Sequence, residues 1–271
     1  MGSCAPKRRL DQKPSVRPKY GKPFMGKEEM KTIGIIGGIA PESTIEYYRS
    51  IIALYRERKQ DGSYPSILIN SIDMKKMLDL IAGKELAGVT EYLLGEVIKL
   101  AQAGADFGLL ASNTPHLVFE DIRRHSPIPL ISIVETACEI AQSLCLKKVG
   151  LFGTRFTMQG QFYPEVFAKQ GIEIVLPSLE DQEFIHEKYM SELVNGVFLT
   201  ETRERLLMIV DRLKANDGIQ GLILGGTELP LIIREVSAGG IPFLDTTKIH
   251  VERAVSLMLE QTEGKRENSS S

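Results

Sequence analysis

The sequence predicts an α/β fold of two lobes, each built on a parallel sheet covered by helices on both faces. Three observations carry this. Short apolar, β-rich runs alternate with longer amphipathic stretches from Lys31 onward, and the rhythm recurs in a second half. Two segments, LLASNTPHL (109–117) and LILGGTELPL (222–231), are counterparts: a buried strand, small residues, a polar turn, a proline and a new helix. Nearly continuous apolar strands between amphipathic helices are the pattern of parallel sheets buried on both faces. In such sheets ligands sit beyond the carboxyl ends of the strands, so the two counterpart turns are expected to flank one cleft.

The elements justify themselves in order. TIGIIGG (32–38) reads as a strand ending in a glycine turn, and STIEYYRSIIALYRER (43–58) as a helix. Pro41 and Glu42 stand near its start, where a missing N–H and a negative charge are tolerated. SILINSID (66–73) is the next strand. GVTEYLLGEVIKLAQAG (88–104) spaces its apolar residues by three and four and stops at Gly104, as helices do. DFGLLASNT (106–114) is a strand running into a polar turn, PLISIV (129–134) another strand, and a helix then carries Cys138 and Cys145 on one face. The second half repeats this: strand KVGLFGT (148–154), a helix, strand IEIVLP (172–177), a helix pair through 181–214, strand GLILGGTE (221–228), a helix, strand IPFLDTT (241–247) and a final helix.

Composition narrows the class. The 271 residues carry 33 Lys+Arg against 35 Asp+Glu, a formal charge of −2, which argues against a dedicated nucleic-acid binder. A chain of this length buries a sizeable core without disulfides, and three cysteines (Cys4, Cys138, Cys145) make no disulfide framework. Sparse cysteine usage favours a reducing compartment, so a cytoplasmic location is expected. Residues 1–31 hold nine Lys/Arg, three acids and four prolines, and with the tail EGKRENSSS they lack the apolar content that repays ordering. MGSCAPKRR has two readings. Gly2, Cys4 and the basic cluster fit a two-acyl anchor giving membrane association, whereas Pro6 stands where the myristoylation pattern wants Ser or Thr. MGS is also a common expression-tag remnant.

The candidate site residues admit a structural and a functional reading each. The turn IIGGIAPEST (35–44), with Gly38 and Ile39, is a tight strand–helix connection or a carboxylate-holding helix start; it is neither the G-x-G-x-x-G fingerprint nor a phosphate loop. Asn113 and Thr114 in SNTPH cap the next helix or donate to a ligand carboxylate, with Ser112 at the reacting centre; Thr227 in GGTE is equally ambiguous. No histidine pair has metal-ligand spacing, so no metal site is expected. Cys138 and Cys145 read as small core hydrophobes, and Glu187 and Lys188 as a solvated helix face.

Six ordered blocks then give a resemblance: GIIGGIAPESTIEYYRSI, GADFGLLASNTPH, VGLFGTRFT, SELVNGVF, LGGTELPLII and IPFLDTTKIHVERAV, spanning residues 31 to about 260. The chain resembles the aspartate/glutamate racemase superfamily, most closely its amino-acid racemase branch. That resemblance implies two pseudo-symmetric α/β lobes, each a parallel-sheet sandwich, with a cleft between them. The expected division is an extension at 1–30, a first lobe at 31–132 to which 241–262 return, a second lobe at 133–240, and a disordered tail at 263–271.

The resemblance also implies cofactor-independent proton transfer at an amino-acid α-carbon, with one cysteine from each lobe and, by analogy, a homodimer. Inversion requires a base on one face and an acid on the other, each within reach of the Cα–H. In this chain Ser112 stands at the family's first cysteine (or threonine) position and Gly226 at the second. The chain thus resembles a PLP-independent amino-acid racemase lacking both thiols. By the same resemblance Asn113, Thr114 and Thr227 match substrate-holding positions, Gly38 and Ile39 the loop lining the cleft, and Asp245, Thr246 and His250 a D-T-T-x-x-H block. A basic residue expected for a side-chain carboxylate falls at Glu187, with Lys188 beside it. The expected function is binding of a small amino acid or dicarboxylate with the racemase chemistry altered or lost; the alternative is an active enzyme using Ser112, His116 or water.

Overall fold

The computed structural model describes residues 30–235 and 237–260; Gly2, Cys4 and the tail from 263 lie outside the described residues. The first half runs β1 (Ile33–Gly37), α1 (Pro41–Lys59), β2 (Ile67–Ser71), α2 (Met74–Ala82), α3 (Leu86–Gln102), β3 (Phe107–Leu110), a 3-10 turn (Thr114–Val118), α4 (Phe119–His125) and β4 (Leu130–Ile131). Its four strands are parallel in the order β2-β1-β3-β4, with Ile35 opposite both Ile69 and Leu109.

The second half runs α5 (Ile133–Ser143), β5 (Lys148–Gly153), α6 (Arg155–Gln159), α7 (Phe162–Ala168), β6 (Glu173–Val175), α8 (Leu179–Ser191), α9 (Thr200–Asp217), β7 (Gly221–Gly225), α10 (Leu229–Ile232), β8 (Ser237–Ala238), β9 (Ile241–Asp245) and α11 (Thr246–Leu259). Its sheet has the order β6-β5-β7-β9-β8, parallel except for the antiparallel edge strand β8. The architecture is therefore two α/β lobes on separate sheets.

Burial explains why the apolar runs become strands. Ile33, Ile35, Leu109, Val149, Leu151, Leu222 and Ile223 have no accessible surface, because helices cover both sides of each sheet. Burying each such side chain stabilises by about 1.5–3 kcal/mol relative to exposure. On α1 the core stripe is Tyr47, Ile51 and Tyr55, spaced four apart, and it packs against Val251, Val255 and Met258 of α11. The last helix thus completes the core of the first half.

Several expectations are corrected. PLISIV is not one strand: β4 keeps only two residues, because the Ser132 hydroxyl accepts from Val134 N (3.2 Å) and Glu135 N (3.3 Å) and starts α5. Cys145 does not share a helix face with Cys138; α5 ends at Ser143, and Cys145 is exposed at φ 56°. Of the segment expected to return, residues 241–260 do not do so as a unit, since β9 pairs with β7 in the second sheet and only α11 reaches α1. Residues 74–82, for which no element was expected, form α2, capped by the Asp73 carboxylate on Lys75 N at 2.9 Å.

Candidate functional site

β3 and β7 end at equivalent places, and the turns that follow them face one cavity of about 320 Å³ between the halves. After β3 the chain passes through Ser112 and Asn113 into the 3-10 turn; after β7 it passes through Gly226 and Glu228 into α10. Ser112 and Gly226 both line the cavity, one from each half.

The wall beside Ser112 is built from neutral polar groups with assigned partners. The Asn113 amide bridges the halves: Tyr163 Oη donates to its Oδ1 at 2.7 Å, and its Nδ2 donates to Thr246 Oγ1 at 3.4 Å. Thr246 Oγ1 in turn donates to the Leu224 carbonyl at 2.8 Å. Burial holds the Tyr163 phenol well above its ordinary pKa, so it acts as a neutral donor. Thr114 Oγ1 lies 3.5 Å from Thr154 Oγ1, and Thr154 caps α6 by accepting from Thr157 N at 3.3 Å. Hydroxyls from both halves thus form one side of the chamber.

The wall beside Gly226 is filled by an aromatic ring. A Cβ placed on Gly226 would lie 2.8 Å from Tyr189 Oη and 2.9 Å from Tyr189 Cζ, closer than real Cβ contacts allow. The phenol occupies the space that a side chain at 226 would take. Tyr189 Oη donates to Glu228 Oε2, and Thr227 Oγ1 donates to the same oxygen at 2.7 Å. Burial first, and the Glu228 charge second, raise the Tyr189 pKa well above its ordinary value, so the phenol keeps its proton. His186 also lines the cavity; Arg155 N donates to its Nδ1 at 3.3 Å, which leaves the ring proton on Nε2. Partial burial, then the Arg155 cation, lower its pKa and favour that neutral form.

The structure brings Ser112, Asn113, Thr114, Gly226 and Ile39 into the lining, but not all the sequence candidates. Thr227 faces a separate pocket that also includes Asp245 and Lys248. Lys188 is tied to Glu192 at 2.6 Å on the other side of α8 and does not line the cavity. Gly38 serves the loop: it sits at φ 83°, its N donates to Thr44 Oγ1 at 2.8 Å, and a Cβ there would meet Ile72 N at 2.8 Å.

His116 is also outside the lining. Its Nδ1 donates to the Ser112 carbonyl at 3.1 Å, and its Nε2 accepts from Ile133 N at 3.3 Å, so both nitrogens are occupied. Burial, with a smaller contribution from His250, lowers its pKa to about 3. His250 is likewise structural, with Nε2 donating to the Ile131 carbonyl at 3.1 Å and Nδ1 accepting from Tyr47 Oη at 2.8 Å.

Sequence reasoning missed the helical contributors: Met74, Met77 and Leu78 of α2, and His186, Tyr189 and Met190 of α8. A signal existed for α2, since Met74, Met77, Leu78 and Ile81 repeat at helical spacing behind an Asp cap. Among the described residues no Lys or Arg lines the cavity, and no cluster of three or more His, Cys, Asp or Glu is arranged to hold a metal. No described helix is long and apolar enough to cross a membrane. A chamber lined by hydroxyls, a buried carboxylate and apolar side chains can hold a small polar-headed molecule and orient it.

Comparison with known proteins agrees with this architecture. A family model for Asp/Glu/hydantoin racemases matches residues 36–254. The broad specificity amino-acid racemase RacX of Bacillus subtilis (strain 168) is 28% identical over 167 residues, covering 60% of this chain and 67% of RacX. A Yersinia pestis protein provisionally described as an Asp/Glu racemase superposes with a TM-score of 0.78 at 32% identity, over 85% of this chain and 100% of that one. An aspartate racemase homologue from Pyrococcus horikoshii OT3 gives a TM-score of 0.73 at 35% identity, over 84% of this chain and 99% of that one. The likeness extends over both sheets and the turns between them, and the chain belongs to the Asp/Glu/hydantoin racemase family.

Proposed function

We propose that the interlobe cavity binds a small amino acid or dicarboxylate, and that the two-cysteine proton transfer of the family is altered or lost in this chain. One observation carries the reading. The two positions where the family resemblance puts thiols, Ser112 and Gly226, line the same cavity, and no described cysteine does. Cys138 is buried in α5, where desolvation and two neighbouring glutamates push its thiol up to about 11. A serine hydroxyl is a very weak base without an activating partner, and glycine offers no group at all. In the alternative of turnover by other groups, His116 has no part, because both its nitrogens are engaged away from the cavity.

The test is proton NMR of the protein with L- and D-amino acids and dicarboxylates in D2O, following loss of the α-proton, paired with ligand-induced stabilisation. A ligand at 100 times its dissociation constant should stabilise the fold by about 2.7 kcal/mol. Stabilisation without exchange supports a binding role. Exchange that survives Ser112→Ala but is lost with other cavity variants would reassign the chemistry. Absence of both across the panel would sink the proposal.

A further inference from the structure

The wall chemistry narrows the ligand, on the reading that the cavity is an amino-acid site. Glu228 is 2% exposed and lines the cavity. Both hydrogen bonds to its carboxylate, from Tyr189 Oη and Thr227 Oγ1, fall on Oε2, and both donors are neutral. Its Oε1 carries no hydrogen bond among the described residues, and no described Lys or Arg lines the chamber. Oε1 is left free to accept from the cavity, and a ligand ammonium would give this carboxylate a charge-assisted partner there.

The opposite requirement is absent. A second carboxylate on the ligand would meet a lining of Met74, Met77, Leu78, Phe156, Met190 and Val194, where the Asp79 carboxylate already holds Lys75 at 2.6 Å. Removing a carboxylate from water without a cation of its own is strongly unfavourable. Thioether and aliphatic side chains, by contrast, adapt to an apolar ligand surface at little cost.

We propose that this cavity selects monocarboxylic amino acids with an apolar side chain of leucine or methionine size, their ammonium group held by Glu228 Oε1, and discriminates against aspartate and glutamate. The ligand's single carboxylate then meets the Thr114 and Thr154 hydroxyls, 3.5 Å apart in the same lining.

Calorimetric titration of the full chain with both enantiomers of leucine, methionine, aspartate and glutamate tests this, with 4-methylpentanoate as leucine without its ammonium group. At least one enantiomer of leucine or methionine should bind at least about 100-fold more tightly than either dicarboxylate, the ratio expected for an unpaired buried carboxylate. The deaminated acid and the Glu228→Gln variant should each lose at least about tenfold in affinity. Met190 is 40% exposed, so Met190→Lys should fold and should improve aspartate or glutamate binding at least about tenfold. Dicarboxylates binding as well as leucine would overturn the inference while leaving the cavity an amino-acid site. Equal binding of leucine and 4-methylpentanoate would overturn the assignment of Glu228. No binding by any compound would overturn both the inference and the function it rests on.

Discussion

Restoring a thiol at position 226 should not be a neutral change. Tyr189 is 6% exposed, and its Oη and Cζ lie 2.8 and 2.9 Å from where the new Cβ must go. Gly226 has no left-handed φ, so the backbone accepts an L side chain and the whole cost falls on packing. The nearest ring carbon, Cε2, lies closer still, so the ring must withdraw by roughly an ångström to reach ordinary contact, and overpacking of this kind costs about 1–3 kcal/mol. Withdrawal also strains the hydrogen bond to the Glu228 carboxylate, worth about 1.5–3 kcal/mol. We expect Gly226→Cys to lose about 2–5 kcal/mol in urea unfolding at unchanged m-value. Tyr189→Phe keeps the ring in place and should not relieve the clash. Tyr189→Leu removes it, so the Gly226→Cys/Tyr189→Leu double variant should be more stable than the sum of its single changes by at least about 1.5 kcal/mol. A Gly226→Cys protein within about 0.5 kcal/mol of the parent, or strictly additive changes, would refute the claim that the phenol occupies this space.

Other consequences are open to direct measurement. His116 and His250 are buried neutral, with pKa values lowered from 6.5 to about 3 and about 4, so the unfolded chain binds protons there that the native state does not. Their stabilising contribution is full well above pH 6.5 and is lost as pH falls from there to about 3; near pH 5 the two together should give a slope of about 2.5 kcal/mol per pH unit. Denaturant midpoints flat between pH 6.5 and 4.5 would contradict the neutral assignment. Tyr163→Phe removes the donor at 2.7 Å from buried Asn113 Oδ1 and should cost about 1–3 kcal/mol, which urea titration will read; no loss would mean that the bridge between the halves is idle. Met258→Ala empties a site 1% exposed between α11 and α1 and should cost about 2–5 kcal/mol by the same measurement, a value near zero excluding the shared core.

The order of strands and helices was legible because the central parallel strands β1, β3, β5 and β7 are buried on both faces and therefore read as nearly unbroken apolar runs. Ser112, Asn113 and Thr114 were legible as well, because they follow a strand end, where polar residues interrupt the run; Gly226 was placed only by the family resemblance. The helical side of the site was hidden for a physical reason. Tyr189 follows Ile185 by four residues on the buried stripe of α8, so its role at the cavity looks like core packing. Lys188 is one residue away, and about 100° of helix rotation turns it from the chamber toward Glu192. A register read from motif spacing does not resolve that angle. The two-residue strand β8 escaped because pairing at a sheet edge, with no periodicity of its own, defines it, and β4 was read too long because the apolar run continues into α5.

The packing of α11 on α1 also dictates an order of events during synthesis. Ile33, Tyr47, Ile51, Tyr55 and Leu109 share one core with Val251, Val255 and Met258. When Leu109 leaves the ribosome, one wall of that core is still about 150 residues from being made, a delay on the order of 10–30 s at ordinary elongation rates. Through that interval the nascent first half presents an apolar α1 face with no native cover. Chaperone capture is therefore expected to be timed to the last helix rather than to the completion of the first sheet, and a ribosome stalled before residue 246 should hold a first half that binds hydrophobic dyes and is cut readily within α1.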